Sequence, residues 1–260
     1  MQVLNILICI LTIGAQFLIS ERVHLKTLSD HNQMSPLIIS INYTSSVVEY
    51  QYRDQDDSLK SWNLFYDQNI QIFRSAVFGE IVLGQPIYRF TCFMLSLDGN
   101  NVVPFKAFDK LNQTYLKNKQ EADTELALQF YLLDSSILKS QLQDYGNEVF
   151  KSCFEASEVY TTRKDIMKIA ERNKNFNLLS TVKFLNNQPS LSLSQFPYCH
   201  SAPPDWSPSC LCVTSISINW YPCSYKTCQS ENGEKSVCGI ESCKQTHRFV
   251  YLVEKLKLCF

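Results

Sequence analysis

The chain has 260 residues, of which 45% are hydrophobic, and its formal net charge is -1. A nearly neutral surface argues against nucleic acids and anionic membranes as partners, because both select basic proteins. Only 7 glycines occur, which excludes Gly-rich phosphate loops and collagen-like repeats. The length suffices for one large domain or two modest ones.

An apolar run at residues 3–13 begins the chain and is followed by small residues up to Ser20. This pattern is typical of a secretory signal peptide, and it is too short to span a bilayer, which takes roughly 20 apolar residues. We predict a signal peptide over residues 1–20, cleaved after Ser20 or else after Ala15, and a soluble, secreted mature chain without a membrane span. A buried N-terminal strand is the alternative, because no positive charge precedes the apolar run.

Two Asn-x-Thr sequons, at Asn42 and Asn112, agree with export. Such sequons are glycan acceptors on the surface of secreted proteins. We therefore predict that the protein is a glycoprotein carrying a glycan on at least one of these two asparagines.

Apolar segments between residues 36 and 97 predict five β-strands. In chain order these cover residues 38–43, 47–52, 62–66, 70–78 and 87–97. The last strand alternates, so that Tyr88, Phe90, Cys92 and Met94 share one face. Ile87, Phe93 and Leu95 lie on the opposite face.

Helices are expected next. One begins behind Pro104 and covers residues 105–115, where apolar residues recur at near-helical spacing. A longer helix over residues 136–160 is predicted by an apolar stripe with spacings of 4, 3, 4, 4, 3 and 4 residues. Thr162 and Asp165 are candidates to cap a third, shorter helix.

Cys92 and Cys153 stand apart from the other cysteines of the mature chain. Cys92 lies on the apolar face of a predicted strand, and Cys153 lies on the apolar stripe of the long predicted helix. A disulfide between them is the economical interpretation, and it would contribute about 4 kcal/mol through loop-closure entropy. Two buried free thiols are the alternative.

The last 62 residues hold eight further cysteines. They are Cys199, Cys210, Cys212, Cys223, Cys228, Cys238, Cys243 and Cys259. With the leader and its Cys9 removed, ten cysteines remain, and an even number in a secreted chain predicts a disulfide framework. The sequence leaves the pairing of these eight open, although a bridge between Cys210 and Cys212 would be strained.

Residues 173–209 are polar and contain several prolines, which is typical of a linker or an irregular domain start. We predict a first domain over residues 21–175, a linker over 176–198 and a cysteine-rich disulfide module over 199–260. Two strands, at residues 213–221 and 248–253, are expected in this module.

Several segments of the chain are distinctive: residues 73–85 (FRSAVFGEIVLGQ), 88–98 (YRFTCFMLSLD), 152–165 (SCFEASEVYTTRKD) and 210–228 (CLCVTSISINWYPCSYKTC). In these segments the chain resembles the "out at first" family of secreted proteins, and the resemblance covers nearly the whole mature chain. It implies an extracellular developmental protein that is not known as an enzyme.

The N-terminal part of that family is in turn similar to a BRICHOS domain, whose cysteine pair matches Cys92 and Cys153. This implies an α+β fold: a small BRICHOS-like sheet flanked by helices, followed by a disulfide-rich, mostly-β module. Phe65 stands where BRICHOS domains carry a characteristic aspartate, and Asp67 is two residues away. This departure puts the switch-like role of that aspartate in doubt here.

Catalytic motifs such as Gly-x-Ser-x-Gly and His-Glu-x-x-His are absent from the sequence. His200 beside Cys199 is a conceivable zinc ligand, but the even cysteine count favours disulfides. Asp54, Asp56 and Asp134 fit a solvated loop and a helix cap better than an acid/base set. We expect no enzymatic activity, no metal site and no cofactor.

The remaining functions are binding functions. The first hypothesis is a secreted, extracellular binding or signalling protein whose partner is an extracellular protein or peptide. The alternative is a chaperone-like binder of exposed β-prone segments through the BRICHOS-like domain. For that alternative the candidate binding face is formed by Ile87, Phe93 and Leu95, which lie either beneath the helix at 105–115 or open to a guest segment.

Overall fold

The structure is a computed structural model that describes residues 20–28, 34–54, 56–79, 88–97, 102–108, 121–184, 195–203, 208–229, 235–254 and 259. The predicted signal peptide up to residue 19, Ile87 and Asn112 lie outside the described residues. So does the predicted first helix beyond Phe108, and only a 3-10 turn at Phe105–Ala107 is described there.

Strands dominate the described residues and form two sheets. In chain order they are β1 (Ser20–Leu28), β2 (Met34–Asn42), β3 (Val47–Arg53), β4 (Leu59–Phe65), β5 (Ile70–Phe78), β6 (Tyr88–Ser96), β7 (Thr124–Glu125), β8 (Gln129–Leu133), β9 (Ser135–Leu138), β10 (Glu158–Thr161), β11 (Val182–Phe184), β12 (Cys210–Gln229) and β13 (Lys235–Val253).

The first sheet has nine strands in the order β1-β2-β3-β4-β5-β6-β10-β9-β11. Strands β1 to β6 form an antiparallel meander in which each strand pairs with the next along the chain. Strand β10 then joins parallel to β6, with Val159 opposite Cys92. The five strands predicted between residues 36 and 97 are present as β2 to β6. Strand β3 alternates between buried and half-buried residues, whereas β4 is buried on both faces because a layer covers each side of the sheet there.

The second sheet is a long hairpin of β12 and β13 to which β7 and β8 add in parallel along β13. The pairing of β12 with β13 runs from Cys210 opposite Val253 to Gln229 opposite Lys235 and contains register shifts near Tyr221. The two strands predicted here are therefore parts of much longer ones. Because β7 and β8 come from residues 124–133, the cysteine-rich segment completes its sheet with strands from the preceding segment.

The largest core lies between the two sheets. Trp62, Phe73 and Phe93 project from the nine-stranded sheet and contact Tyr221 and Phe249 of the hairpin, among other rings. Each of these side chains is at most 2% exposed. Full burial of a large apolar side chain contributes about 1.5–3 kcal/mol, so this contact layer is a major source of stability.

A second core lies on the other face of the nine-stranded sheet, under the helices. Helix α1 (Asn147–Cys153) and helix α2 (Arg163–Arg172) pack there with 3-10 helices at Lys139–Tyr145 and Phe176–Thr181. Their buried side chains include Leu142, Val149 and Ile166, and they meet Ile72 and Met94 of the sheet.

The long helix predicted over residues 136–160 is wrong. Those residues form β9, a 3-10 helix, α1 and β10 in succession. Gly146 separates the 3-10 helix from α1 and has φ of 115°, a conformation that L side chains rarely adopt. The middle of the apolar stripe, from Leu142 to Ala156, is real as a set of residues buried in this second core. Its ends are not, because Leu138 is 41% exposed and Tyr160 packs against the core between the sheets.

Helix α2 confirms the third predicted helix and its cap. The Thr162 side chain accepts a hydrogen bond from the Asp165 backbone N–H, and Ile166, Ile169 and Ala170 are buried. The helix therefore begins at the N-cap that its sequence predicts.

The predicted fold class, an α+β domain built on a small sheet flanked by helices, is also wrong. The chain is mostly β, and its first sheet has nine strands. Helices α1 and α2 cover one face of that sheet, and the β12–β13 hairpin covers the other. The BRICHOS-like description is accordingly not confirmed. The expectation of a mostly-β, disulfide-rich C-terminal part agrees with the structure.

Candidate functional site

Two of the three residues of the candidate binding face inferred from sequence, Phe93 and Leu95, lie inside the protein. Phe93 and Leu95 are 0% and 1% exposed, and the Phe93 ring stacks on that of Phe249, with centroids 4.3 Å apart. The face that alternation assigns to these residues is thus occupied by the β12–β13 hairpin, and Phe93 and Leu95 are inaccessible to a guest segment in this structure.

Five disulfides hold the framework together, which confirms the prediction of disulfide bonds. The pairs are Cys92–Cys153, Cys199–Cys210, Cys212–Cys259, Cys223–Cys243 and Cys228–Cys238. The first joins β6 to α1, and the other four lie among the eight C-terminal cysteines. Their Cα–Cα distances of 5.0–5.9 Å suit unstretched bridges.

The Asn42 sequon lies at the turn between β2 and β3. The Asn42 side-chain oxygen accepts hydrogen bonds from the backbone N–H groups of Thr44 and Ser45, at 3.0 and 3.3 Å. This geometry is an Asx turn, which favours a tight hairpin. Glycosylation of Asn42 stays a prediction.

The second sheet presents an exposed apolar surface on the side that faces away from the first sheet. We call this surface the outer face, formed by Phe130, Leu132, Val213, Arg248 and Val250. The register places Phe130 beside Arg248, and Leu132 and Val213 on either side of Val250. Because directly paired residues project to the same side of a sheet, the five side chains form one patch across β8, β13 and β12.

Exposure distinguishes this outer face from the rest of the sheet. Phe130, Leu132 and Val213 are 53%, 45% and 39% exposed, and Leu128, two residues before Phe130, is 49% exposed. Val250 is buried, because Phe196 and Leu252 pack beside it. The exposed apolar side chains therefore concentrate along one strand, at Leu128, Phe130 and Leu132, and a row of this kind is typical of a protein–protein interaction site.

Sequence reasoning missed this site. Its signal is the uncharged run LALQFYLL at residues 126–133, in which Leu128, Phe130 and Leu132 alternate with other residues. Alternation of this kind predicts a strand, but it does not reveal that the strand will pair in parallel with β13, more than one hundred residues away.

A polar cavity of about 200 Å³ lies between the two sheets and is lined by residues that include Trp62, Gln71, Tyr131, Gln245 and His247. His247 is 3% exposed, and its Nδ1 atom is 3.3 Å from the Tyr131 hydroxyl. Its Nε2 atom makes no hydrogen bond to any residue that the structure describes. Burial lowers the pKa of His247 to about 3, so the imidazole is neutral at physiological pH.

Several other polar groups that line the cavity already bond within the protein, including the Asp165 carboxylate, which accepts from the Ser96 N–H and hydroxyl. Gln71 accepts from the Trp62 indole N–H and donates to the Ser96 carbonyl. Gln245 accepts from the Tyr221 hydroxyl and donates to the Ala127 carbonyl. No group of three or more His, Cys, Asp or Glu side chains suited to a metal occurs among the described residues.

The two residues weighed as zinc ligands, for which the cysteine count favours disulfides, have other surroundings. Cys199 is bridged to Cys210, and His200 is exposed beside the ring of Tyr198. In the part of the chain that the structure describes, no helix has the length and apolar character needed to cross a membrane.

Two protein-family models match this chain. Residues 22–169 match the family model described as Out at first, and residues 198–260 match the one described as Out at first, C-terminal. No solved structure matches the chain.

Two curated relatives are both named Out at first protein. The one from Drosophila virilis is 21% identical over 234 residues, which cover 85% of this chain and 75% of the relative. The one from Drosophila melanogaster is 20% identical over 267 residues, which cover 97% of this chain and 54% of the relative.

Proposed function

This chain belongs to the Out at first family, and we propose that it is a secreted, non-enzymatic extracellular protein that acts by binding another protein. Family membership implies a developmental role in Drosophila, and a signalling role for this chain is part of the proposal. The five disulfides support an oxidising, extracellular setting.

The observation that carries the proposal is the outer face. Three strands hold Phe130, Leu132 and Val213 near Arg248, and the four disulfides among the C-terminal cysteines stiffen the sheet that presents them. Aromatic residues and arginine are enriched among the residues that dominate binding energy at interfaces. A rigid face also loses little conformational entropy when a partner binds.

The chaperone-like alternative depended on an accessible apolar face of the first sheet, and the described residues of that face are covered. It needs an apolar sheet face that a loosened helix can expose, and the residues inferred for that face, Phe93 and Leu95, lie beneath a disulfide-bonded hairpin. We therefore propose binding through the outer face of the second sheet, and no role for the face that contains Phe93.

Export is the first test. The protein is expressed in cultured cells, and the intact mass of the material in the medium is measured before and after removal of N-glycans. We expect loss of residues 1–20 and a glycan on Asn42 or Asn112. Retention of the protein inside the cell with residues 1–20 still attached would contradict the extracellular proposal.

Partner binding is the second test. The secreted protein, fused to a proximity-labelling enzyme, is applied to intact cells, and labelled surface proteins are compared between variants. Phe130→Ser should abolish labelling of a specific partner. Phe176→Ser is the matched control, because Phe176 is also an exposed phenylalanine, at 63% against 53% for Phe130, and lies on a 3-10 helix that packs in the core under the helices. Equal labelling by both variants would contradict a role for the outer face.

A further inference from the structure

Strand β8 lies at the margin of the second sheet and carries none of the usual devices that protect a sheet edge. Among the described strands it pairs with β13 alone. Natural edge strands are protected by charges, prolines or bulges against pairing with another chain. The eight residues 126–133 contain no charge, no proline and no glycine.

The side chains of β8 make this edge suitable for an added strand. Phe130 and Leu132 project to the outer face and are about half exposed, whereas Leu133 is buried in the core between the sheets. A strand added beside β8 would gain main-chain hydrogen bonds from the edge, and its alternate side chains would pack on Phe130 and Leu132.

The positive charge of Arg248 favours a negatively charged residue in any strand that is added at this edge. Arg248 is exposed, lies on the outer face next to Phe130, and has no carboxylate opposite it in the sheet, because its paired residues are Phe130 and Ser215. An added strand would be two strand spacings, roughly 10 Å, from β13. Arginine and glutamate side chains extending toward each other over Phe130 can close that distance.

We propose that the outer face takes an extended, acidic–apolar polypeptide segment, which adds as a strand beside β8, covers Phe130 and Leu132, and places a carboxylate at Arg248. The inference rests on the proposed binding function and specifies the chemistry of the partner. A second copy of this chain fits less well, because two outer faces packed on each other would bring together two Arg248 guanidinium groups with no acidic side chain among the five residues of either face.

The experiment measures binding of a fluorescein-labelled peptide to the secreted, disulfide-intact protein by fluorescence anisotropy. The probe is a peptide of alternating valine and threonine with one central glutamate. One comparison peptide carries lysine in place of the glutamate. A second comparison peptide keeps the glutamate but has alternate backbone nitrogens methylated along one edge, which removes its main-chain donors.

We expect the glutamate peptide to bind at least tenfold more tightly than the lysine peptide and the methylated peptide. Phe130→Ser should weaken binding at least tenfold, and Phe176→Ser should leave it unchanged. Arg248→Glu should reverse the charge preference, so that this variant prefers the lysine peptide. Because Phe130 and Arg248 are exposed, these variants are expected to fold, and far-UV circular dichroism checks this.

Three results would overturn the inference: equal binding of the glutamate and lysine peptides, equal binding of the methylated peptide, or self-association of the protein that depends on Phe130. If labelling of a cell-surface partner requires Phe130 while no peptide binds, the proposed function stands and the added strand is rejected. If labelling does not require Phe130, the proposed function itself fails.

Discussion

The rings of Phe93 and Phe249 lie face to face, with centroids 4.3 Å apart and planes 3° apart. Phe93 belongs to β6 in the nine-stranded sheet, and Phe249 belongs to β13 in the cysteine-rich hairpin. Both side chains are 0% exposed. The two segments of the chain that match separate family models are therefore in contact through the middle of a shared core.

Phe249→Ala is expected to destabilise both sheets together. Removal of a buried phenylalanine ring costs about 3–5 kcal/mol, and the cavity would lie between the sheets. Urea unfolding followed by fluorescence of the three tryptophans, Trp62, Trp206 and Trp220, and by far-UV circular dichroism should give coincident transitions, both shifted to lower urea. Separate transitions, with only one of them shifted, would show that the segments unfold independently.

A double-mutant cycle isolates the stack itself. Phe93→Ala and Phe249→Ala should couple by about 0.5–1.5 kcal/mol beyond their separate costs. Phe130→Ala serves as the surface control, and it should change the free energy of unfolding by no more than about 0.5 kcal/mol.

Much of the first sheet could be predicted from sequence, because local signals determine it. Strands β2 to β5 are joined by short turns, and β2 to β6 pair with their neighbours in chain order. The cap of α2 is equally local, since Thr162 and Asp165 are three residues apart. In each case the physical cause lies within one element or one hairpin.

Residues 136–160 show where periodicity fails. A spacing of three and four residues favours a helix, but the same spacing arises here because short successive elements bury Leu142, Val149 and Ala156 in one core. Gly146 was the available contrary signal, because glycine destabilises a helix interior by roughly 1 kcal/mol relative to alanine. Its positive φ permits the sharp change of direction before α1.

The site could not be found from local patterns for a different reason. The alternation of residues in β6 predicts that Phe93 and Leu95 lie on one face of the strand and Cys92 and Met94 on the other. It does not predict which layer of the protein covers each face. That depends on the hairpin at residues 210–253, and the outer face depends on the parallel pairing of β8 with β13. Both contacts are distant in the chain and leave no local signature.

We expect a reductant to cleave the disulfides in the order of their exposure to solvent. Cys228 and Cys238 are exposed near the end of the hairpin, whereas Cys92 and Cys153 are fully buried. Because exchange requires direct attack by a thiolate on sulfur, a dilute dithiol in native buffer should reduce Cys228–Cys238 first. Differential alkylation and peptide mass mapping give the order, and reduction of Cys92–Cys153 first would contradict it.

Loss of the same two bridges should have unequal effects on stability. Cys92–Cys153 spans a sequence separation of 61 residues and Cys228–Cys238 a separation of 10. Loop-closure entropy gives about 4 and about 3 kcal/mol respectively, and the first pair also loses buried packing when both cysteines are changed to serine. Urea unfolding of the two double-serine variants checks this ranking, which equal midpoints would contradict.

The Thr162 cap is expected to stabilise α2 and its attachment to the sheet. The Thr162 hydroxyl oxygen accepts from the Asp165 N–H at 3.0 Å. The Asp165 carboxylate accepts from the Ser96 N–H and hydroxyl, at 3.1 and 2.6 Å. Thr162→Ala should therefore lower the free energy of unfolding by about 1 kcal/mol. Thr162→Ser keeps the oxygen and should cost much less, and equal losses in the two variants would exclude a capping role.

His247 should make the protein less stable as the pH falls below neutrality. Burial lowers its pKa in the folded protein to about 3, below the ordinary value of 6.5. Between these two values the unfolded chain binds a proton on this residue and the folded protein does not. Stability is therefore greatest above pH 6.5 and declines as pH falls toward 3, at a rate approaching 1.4 kcal/mol per unit, or about 2 kcal/mol lost at pH 5.

Replacement of the His247 imidazole tests whether this residue causes the loss of stability at lower pH. His247→Phe keeps a ring among Trp62, Phe73 and Phe249 but cannot titrate, so its free energy of unfolding should fall less between pH 7 and pH 5 than that of the natural protein. His200→Gln is the control, because His200 is exposed and its replacement should leave the pH profile unchanged. Urea midpoints measured at half-unit steps of pH give the slopes. Equal slopes for the natural protein and His247→Phe would mean that His247 accepts a proton in the folded state near its ordinary pKa, with water entering the cavity to solvate it.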